Sequence, residues 1–372
     1  MGTAVGGLLT AATMTAGALV AAPSAKADLL DDILDPILQP LLAGLTDALS
    51  GIDPAAATDL TGLLDLGGLS LATNDPAAAL SGALAADPAA AVPSTADSTT
   101  VIPLHVAETT EPYVDVSVNG GSQVPVLVDT GSSGLVIPWQ DVGLSNLAGL
   151  GFPTGIGISG YSGGVDYLYL TFDTTVNYGG ELTTSSTPVY VELFSWPTSA
   201  TSPTDFQQFL ADDQVEGILG LGSNDAGPGT SPLEAAGYPG VLVDEPAGEL
   251  VVGSNSAATA ADVTVSGAPL ANLDVSINGG PPVAVTGDID SGGVYGTMPQ
   301  SVTDNLPAGT TITVYDNSGQ ELYSYVTTPT NDPTLVSSSS DMDTGYVPFS
   351  QYPIYVDYAN DTTTFDLPGP SS

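Results

Sequence analysis

Asp115-Val-Ser-Val-Asn-Gly-Gly121, followed by Val124-Pro-Val-Leu-Val-Asp129-Thr-Gly-Ser-Ser133 and closing at Ile137-Pro138, is written twice in this chain. The second copy is Asp274-Val-Ser-Ile-Asn-Gly-Gly280, then Val283-Ala-Val-Thr-Gly-Asp-Ile-Asp290-Ser-Gly-Gly293, closing at Met298-Pro299. In each, an Asp precedes a hydroxyl residue and a glycine, and a proline follows nine positions after the Asp. Each copy reads as a β-hairpin, turned at Asn119-Gly120 or Asn278-Gly279, that delivers an acidic loop. Duplication sets two such loops around a pseudo-twofold axis, so that Asp129 is expected to face Asp290. Two carboxylates a few ångströms apart cannot both ionise without strong repulsion; they share one proton and become an acid and a base side by side. Such a pair can take a proton from a bridging water while protonating a carbonyl. Around it, Gly131 and Gly292 permit the loops to approach closely, Thr130 and Ser291 are placed to hydrogen-bond across the axis, and Ser132 to orient Asp129.

Outward from these loops, residues 101–372 are short runs rich in Val, Ile, Thr and Tyr between Gly, Asn, Asp and Pro turns, which predicts an all-β architecture. The two copies divide it into an N-terminal β lobe over 101–261 and a C-terminal β lobe over 262–372. Ahead of them, residues 1–27 read as an export signal, with an apolar stretch from Val5 to Ala22 followed by Ala25-Lys26-Ala27. Residues 28–100 read as a Leu-rich helical segment, broken at Pro36 and Pro40, and then an Ala/Pro-rich linker.

Composition narrows the chemistry. Of 372 residues, 42 are Asp or Glu, against one Lys (Lys26), no Arg, one His and no Cys. Thiolate nucleophiles, disulfides and Cys-ligated metals are excluded, and a two-His metal site is impossible. Lacking cations to clamp phosphate, and with a formal net charge of -41, the chain is not expected to bind nucleic acid or nucleotides. No cofactor and no metal are expected. Carboxylate, hydroxyl and backbone groups remain to do the chemistry. His105 reads as an ordinary strand residue, Asp288 as a lesser rival to Asp290, and Asp343-Thr-Gly345, after a serine run, as a solvated turn.

Taken together, these motifs resemble those of the pepsin-like aspartic proteases. Val128-Asp129-Thr-Gly-Ser-Ser and Gly134-Leu-Val-Ile-Pro138 look like that family's first catalytic motif, and Ile289-Asp290-Ser-Gly-Gly like its second. Glu216-Gly-Ile-Leu-Gly-Leu-Gly222 is similar to the segment that threads the first catalytic loop, and Gln351–Asn360 to the closing strand. Within the family the chain looks most like the secreted aspartic proteases of mycobacteria, although the Pro-Glu signature of their secretion module is absent. The resemblance implies a bilobal fold and a flap, assigned here to Tyr161, Ser162 and Gly163. Departures are Gly293 where a hydroxyl residue is usual, Val136 where a Trp is usual, with Trp139 close by, and a second threading segment near Thr344-Gly345-Tyr346 that lacks its aliphatic pair.

The resulting expectation is a secreted or cell-envelope aspartic endopeptidase, a monomer acting on polypeptides, with no stable membrane insertion after processing. The competing expectation is a catalytically silent module that binds peptides or cell-envelope components through the same cleft.

Overall fold

The computed structural model describes residues 99–368 apart from 212, 224–226 and 257. The segments read as an export signal and as a helical segment with linker lie outside the described residues, save for the last two positions of the linker; Thr100 already begins a strand, Thr100–Pro103.

Three sheets carry the fold. The largest has ten strands drawn from His105–Leu221, and a seven-stranded sheet is drawn from Leu270–Asp343. Each contains one copy of the duplicated unit. Both turns adopt the same left-handed backbone, with φ of 52° and 72° at Asn119 and Gly120 and of 51° and 69° at Asn278 and Gly279. Asn and Gly tolerate that conformation at least cost, and its twist matches that of the flanking strands.

The third sheet, of six strands, belongs to neither copy. Its hairpin Gly240–Asp244 with Glu249–Val252 lies beside the hairpin Ile354–Asp357 with Thr362–Phe365. Thr100–Pro103 and Val263–Ser266 form its two edges. The strand segments preceding the two copies and following them are thus hydrogen-bonded into one surface.

The strand topology around each acidic loop is a thread. Val124–Asp129 and Ser133–Pro138 flank the first loop, and Gly217–Leu221 lies between them, parallel to the former and antiparallel to the latter. In the second copy Met342–Asp343 lies parallel to Val283–Asp288 and pairs antiparallel with Thr297–Pro299. A strand with neighbours on both sides, covered on both faces, reads as a continuous apolar run rather than an alternation, and Ser133–Pro138 and Gly217–Leu221 are buried throughout. Gly220 is required by this thread: a Cβ there would lie 2.6 Å from the backbone N, Cα and C of Ser133.

Burial extends to acids. Glu111 and Glu192 are each 5% exposed. Burial pushes Glu192 up to about 7 despite its bond to Ser195, and pushes Glu245 up to about 8 with help from repulsion by Glu111. With no Lys or Arg in residues 27–372, these carboxyls are accommodated by protonation rather than ion pairing.

Two outcomes follow for stability. Gly220→Ala should cost about 1–3 kcal/mol, since backbone cannot yield as a side chain does; an unchanged denaturation midpoint would show the thread to be looser than described. The pH dependence follows from the raised carboxyls. Between the ordinary value of 4.5 and about 8 for Glu245 the folded chain binds more protons than the unfolded one, so stability is full at the acid end and is lost as pH rises. The melting temperature should therefore fall across that window, and Glu245→Gln should flatten the fall; a melting temperature that rises with pH would contradict it.

Candidate active site

The two acidic loops meet and lock. Thr130 Oγ1 accepts the Ser291 amide at 3.0 Å and donates to the Ile289 carbonyl at 2.6 Å. Reciprocally, Ser291 Oγ accepts the Thr130 amide at 3.1 Å and donates to the Val128 carbonyl at 2.6 Å. All four groups are buried, where unmade hydrogen bonds are costly, so the lock fixes the loops tip to tip.

The lock sets both carboxyls against one amide. Gly131 N–H reaches Asp129 Oδ1 at 2.9 Å and Asp290 Oδ1 at 3.2 Å. Both aspartates are fully buried. The glycines make the approach possible: a Cβ on Gly131 would lie 2.3 Å from the Asp290 carboxyl carbon, and one on Gly292 would lie 3.1 Å from that of Asp129. Here no side chain longer than hydrogen fits at residue 131.

The two acids are not equivalent. Asp129 has both oxygens served, Oδ1 by Gly131 N–H and Oδ2 by the Ser132 hydroxyl at 2.5 Å. Asp290 Oδ1 receives Gly131 and Gly292 amides, the latter at 2.8 Å, whereas Oδ2 is buried and receives no hydrogen bond from an N–H or hydroxyl of the described residues. Gly293, at the position equivalent to Ser132, supplies none. Burial pushes both carboxyls above the ordinary carboxylate range. Asp290 goes well above it, because Asp129, Asp343 and Asp288 add repulsion to desolvation. The ionised form of Asp129 is favoured by its bond from Ser132 and by contact with Asp290. The geometry suits a pair in which Asp290 holds the proton and Asp129 the charge.

Tyr161 ends the strand Gly155–Tyr161, which turns through residues 162–164 into Val165–Thr174. Its ring is 2% exposed, stacked on Tyr167 at 5.5 Å and Phe209 at 5.7 Å and tilted against Phe206 at 5.9 Å. Its hydroxyl lies beside Tyr167 and Ser132, the serine that bonds Asp129. Ser162 is exposed at the turn, and Gly163 lies so close to Phe209 that a Cβ would stand 2.3 Å from its ring. Val136 joins this aromatic cluster, while Trp139 packs against the main core.

One sequence expectation is overturned. Asp343-Thr344-Gly345 is not a solvated turn: Asp343 and Thr344 are each 3% exposed, and the strand Met342–Asp343 threads the second loop. Thr344 Oγ1 accepts the Asp290 amide at 3.1 Å. Asp288, expected to be a lesser rival, is 1% exposed and pairs with Asp343 across the parallel register. The sequence signals for this were the third Asp-Thr-Gly itself and the resemblance of the segment near Thr344-Gly345-Tyr346 to a second threading segment, while the polar residues flanking Asp343 hid its burial. Phe206 and Phe209, which hold the Tyr161 ring, lay too far along the chain to be associated with it.

Among the described residues no cluster of His, Asp and Glu is arranged to hold a metal ion, and no helix is long and apolar enough to cross a membrane. Residues 100–365 match the family described as the PE-PGRS C-terminal aspartyl peptidase-like domain. The chain is 44% identical over 294 residues to "PE cleavage protein A" of Mycobacterium tuberculosis (strain ATCC 25618 / H37Rv), covering 72% of this chain and 52% of that protein. It is 43% identical over the same length to the protein of that name in Mycobacterium marinum (strain ATCC BAA-535 / M), with the same coverage. The chain thus spans about half the length of the curated relatives it matches. With its duplicated acidic loops and the match over most of its length, the chain belongs to the PE-PGRS C-terminal aspartyl peptidase-like domain family.

Proposed function

We propose that this chain is an aspartic endopeptidase that hydrolyses peptide bonds by general acid–base activation of water. The observation that carries the reading is the single Gly131 amide shared by the carboxyls of Asp129 and Asp290, which brings a base and an acid to one point. Ionised Asp129, steadied by Ser132, takes a proton from the attacking water. Asp290 gives its proton to the scissile carbonyl oxygen. The bond from water oxygen to carbonyl carbon forms as the carbonyl π pair moves to oxygen, giving a neutral gem-diol with no covalent enzyme intermediate. On collapse a gem-diol hydroxyl returns its proton to Asp290 as the carbon–nitrogen bond breaks, and the amine leaves with the proton that Asp129 took from water, which restores the pair.

The substrate is a polypeptide in extended form, lying between the dyad and the hairpin that carries Tyr161, Ser162 and Gly163. The relatives' name, "PE cleavage protein A", accords with a polypeptide substrate. Closure of such a hairpin excludes water from the reacting atoms. The chain acts as a monomer, outside the cytoplasm or at the cell envelope, where its acidity keeps it soluble. A silent peptide-binding module is the second reading, favoured by the absence of a hydroxyl at Gly293.

Asp129→Asn or Asp290→Asn should each lower peptide cleavage by about 10³-fold or more while the melting temperature holds or rises. Undiminished turnover in both variants would overturn the assignment, and a wild-type chain that binds a statine-type inhibitor yet never cleaves between about pH 3 and pH 7 would favour the silent module.

A further inference from the structure

The two copies differ immediately beside their acidic loops. With Asp129 aligned on Asp290, Leu127 is equivalent to Asp288 and Ile218 to Asp343: Leu127 faces Ile218 across a parallel register in one copy, and Asp288 faces Asp343 in the other. Leu127 and Ile218 are fully buried and belong to the aromatic cluster under Tyr161. Their counterparts are two carboxyls, 1% and 3% exposed. The same comparison aligns Ser132 with Gly293.

These differences fit together in space. A Cβ on Gly293 would stand 2.3 Å from Asp343 Oδ1 and 2.7 Å from Oδ2. The Asp343 carboxyl therefore fills the room opened by the missing side chain. It is held there by the Gly345 amide, which donates to its Oδ1 at 2.8 Å, while its own amide bonds Thr297 Oγ1 at 3.2 Å. The next residue, Thr344, receives the amide of Asp290. The titratable groups facing Asp343 are Asp288 from the adjoining strand, Asp290 from the loop, and Tyr323 from Glu321–Val326. None is cationic.

We infer that Asp343, beside Asp288, is a positioning residue for the dyad: it occupies the room left by the missing side chain at Gly293 and fixes the shared proton on Asp290. The inference rests on the dyad reading above. Like-charge repulsion from Asp343 and Asp288 opposes the ionisation of Asp290. Asp343 and Asp288 both act on Asp290 in this sense, while Asp129 is eased by Ser132, Asp290 and the Gly131 amide. In the first copy the equivalent positions are the apolar Leu127 and Ile218, and Asp129 accepts the Ser132 hydroxyl and the Gly131 amide, which favour the charge.

The consequence is a dyad that keeps its working proton to higher pH. Asp343→Asn preserves shape and the acceptor for Gly345 while removing the ionisable proton. The alkaline limb of kcat/KM against pH should then move toward acid by about one unit, the size of a close like-charge effect. Asp288→Asn should move it in the same direction. A change confined to packing would lower kcat/KM at every pH and leave the limb in place. Should either Asn variant fail to fold, Asp288→Leu with Asp343→Ile rebuilds the apolar pair of the first copy, a type of replacement that buried ionic groups often tolerate. An active variant of any of these whose alkaline limb coincides with that of the wild type would overturn the inference. Loss of cleavage in the wild type itself, or its survival in Asp129→Asn, would instead refute the dyad.

Discussion

The reciprocal hydrogen bonds between Thr130 and Ser291 are the constraint on which the rest of the site depends. Each hydroxyl must accept one amide and donate to one carbonyl of the other loop, and each does. A buried hydroxyl with both roles filled by partners from a distant loop admits one relative position of the two. The lock also limits what may stand next to it. Gly131 must follow Thr130 because the Asp290 carboxyl occupies the space of its Cβ. Gly220 must lie where the thread crosses the backbone of Ser133. The motif Asp-hydroxyl-Gly is thus a packing solution as well as a chemical one.

Much of this could be read from the chain because the informative signals are local. Asn119-Gly120 and Asn278-Gly279 announce their turns by backbone chemistry alone, and the repetition of everything around them sets Asp129 opposite Asp290. The structure adds what locality hides. Asp343 stands after Ser337–Ser340 and so reads as solvated, yet it is buried by pairing with a strand more than fifty residues earlier. Phe206 and Phe209 belong to a helix of five residues, Phe206–Leu210, whose short amphipathic pattern says nothing of Tyr161. The six-stranded sheet, drawing on Thr100–Pro103 and Thr362–Phe365 alike, follows from no pattern in either segment. Pairings between distant segments, rather than propensity, account for each of these gaps.

A chain nearly free of cations has few ways to bury an acid. Ion pairing is closed to it, so its buried carboxyls bond to hydroxyls and amides or keep their protons. Glu111 takes the Thr110 hydroxyl at 2.5 Å, and Glu192 is eased by Ser195. Glu245 is pushed up by burial and by its neighbour Glu111. The pair at the centre is the limiting case of this chemistry. What is a stability liability at neutral pH elsewhere in the fold becomes, at Asp129 and Asp290, a proton held in place.

Perfect symmetry would defeat that arrangement. Two identical loops would offer two identical carboxyls, and a shared proton would have no preferred side. Duplication supplies the meeting of the loops, but a base and an acid with distinct roles require the copies to diverge. They diverge around the acids while conserving the lock: a serine at 132 against a glycine at 293, and an apolar pair at 127 and 218 against an acidic pair at 288 and 343. Each difference acts in the same sense, stabilising charge on Asp129 or opposing it on Asp290. The hydrogen-bonded lock keeps the carboxyls together, and the unequal surroundings decide which of them is ionised.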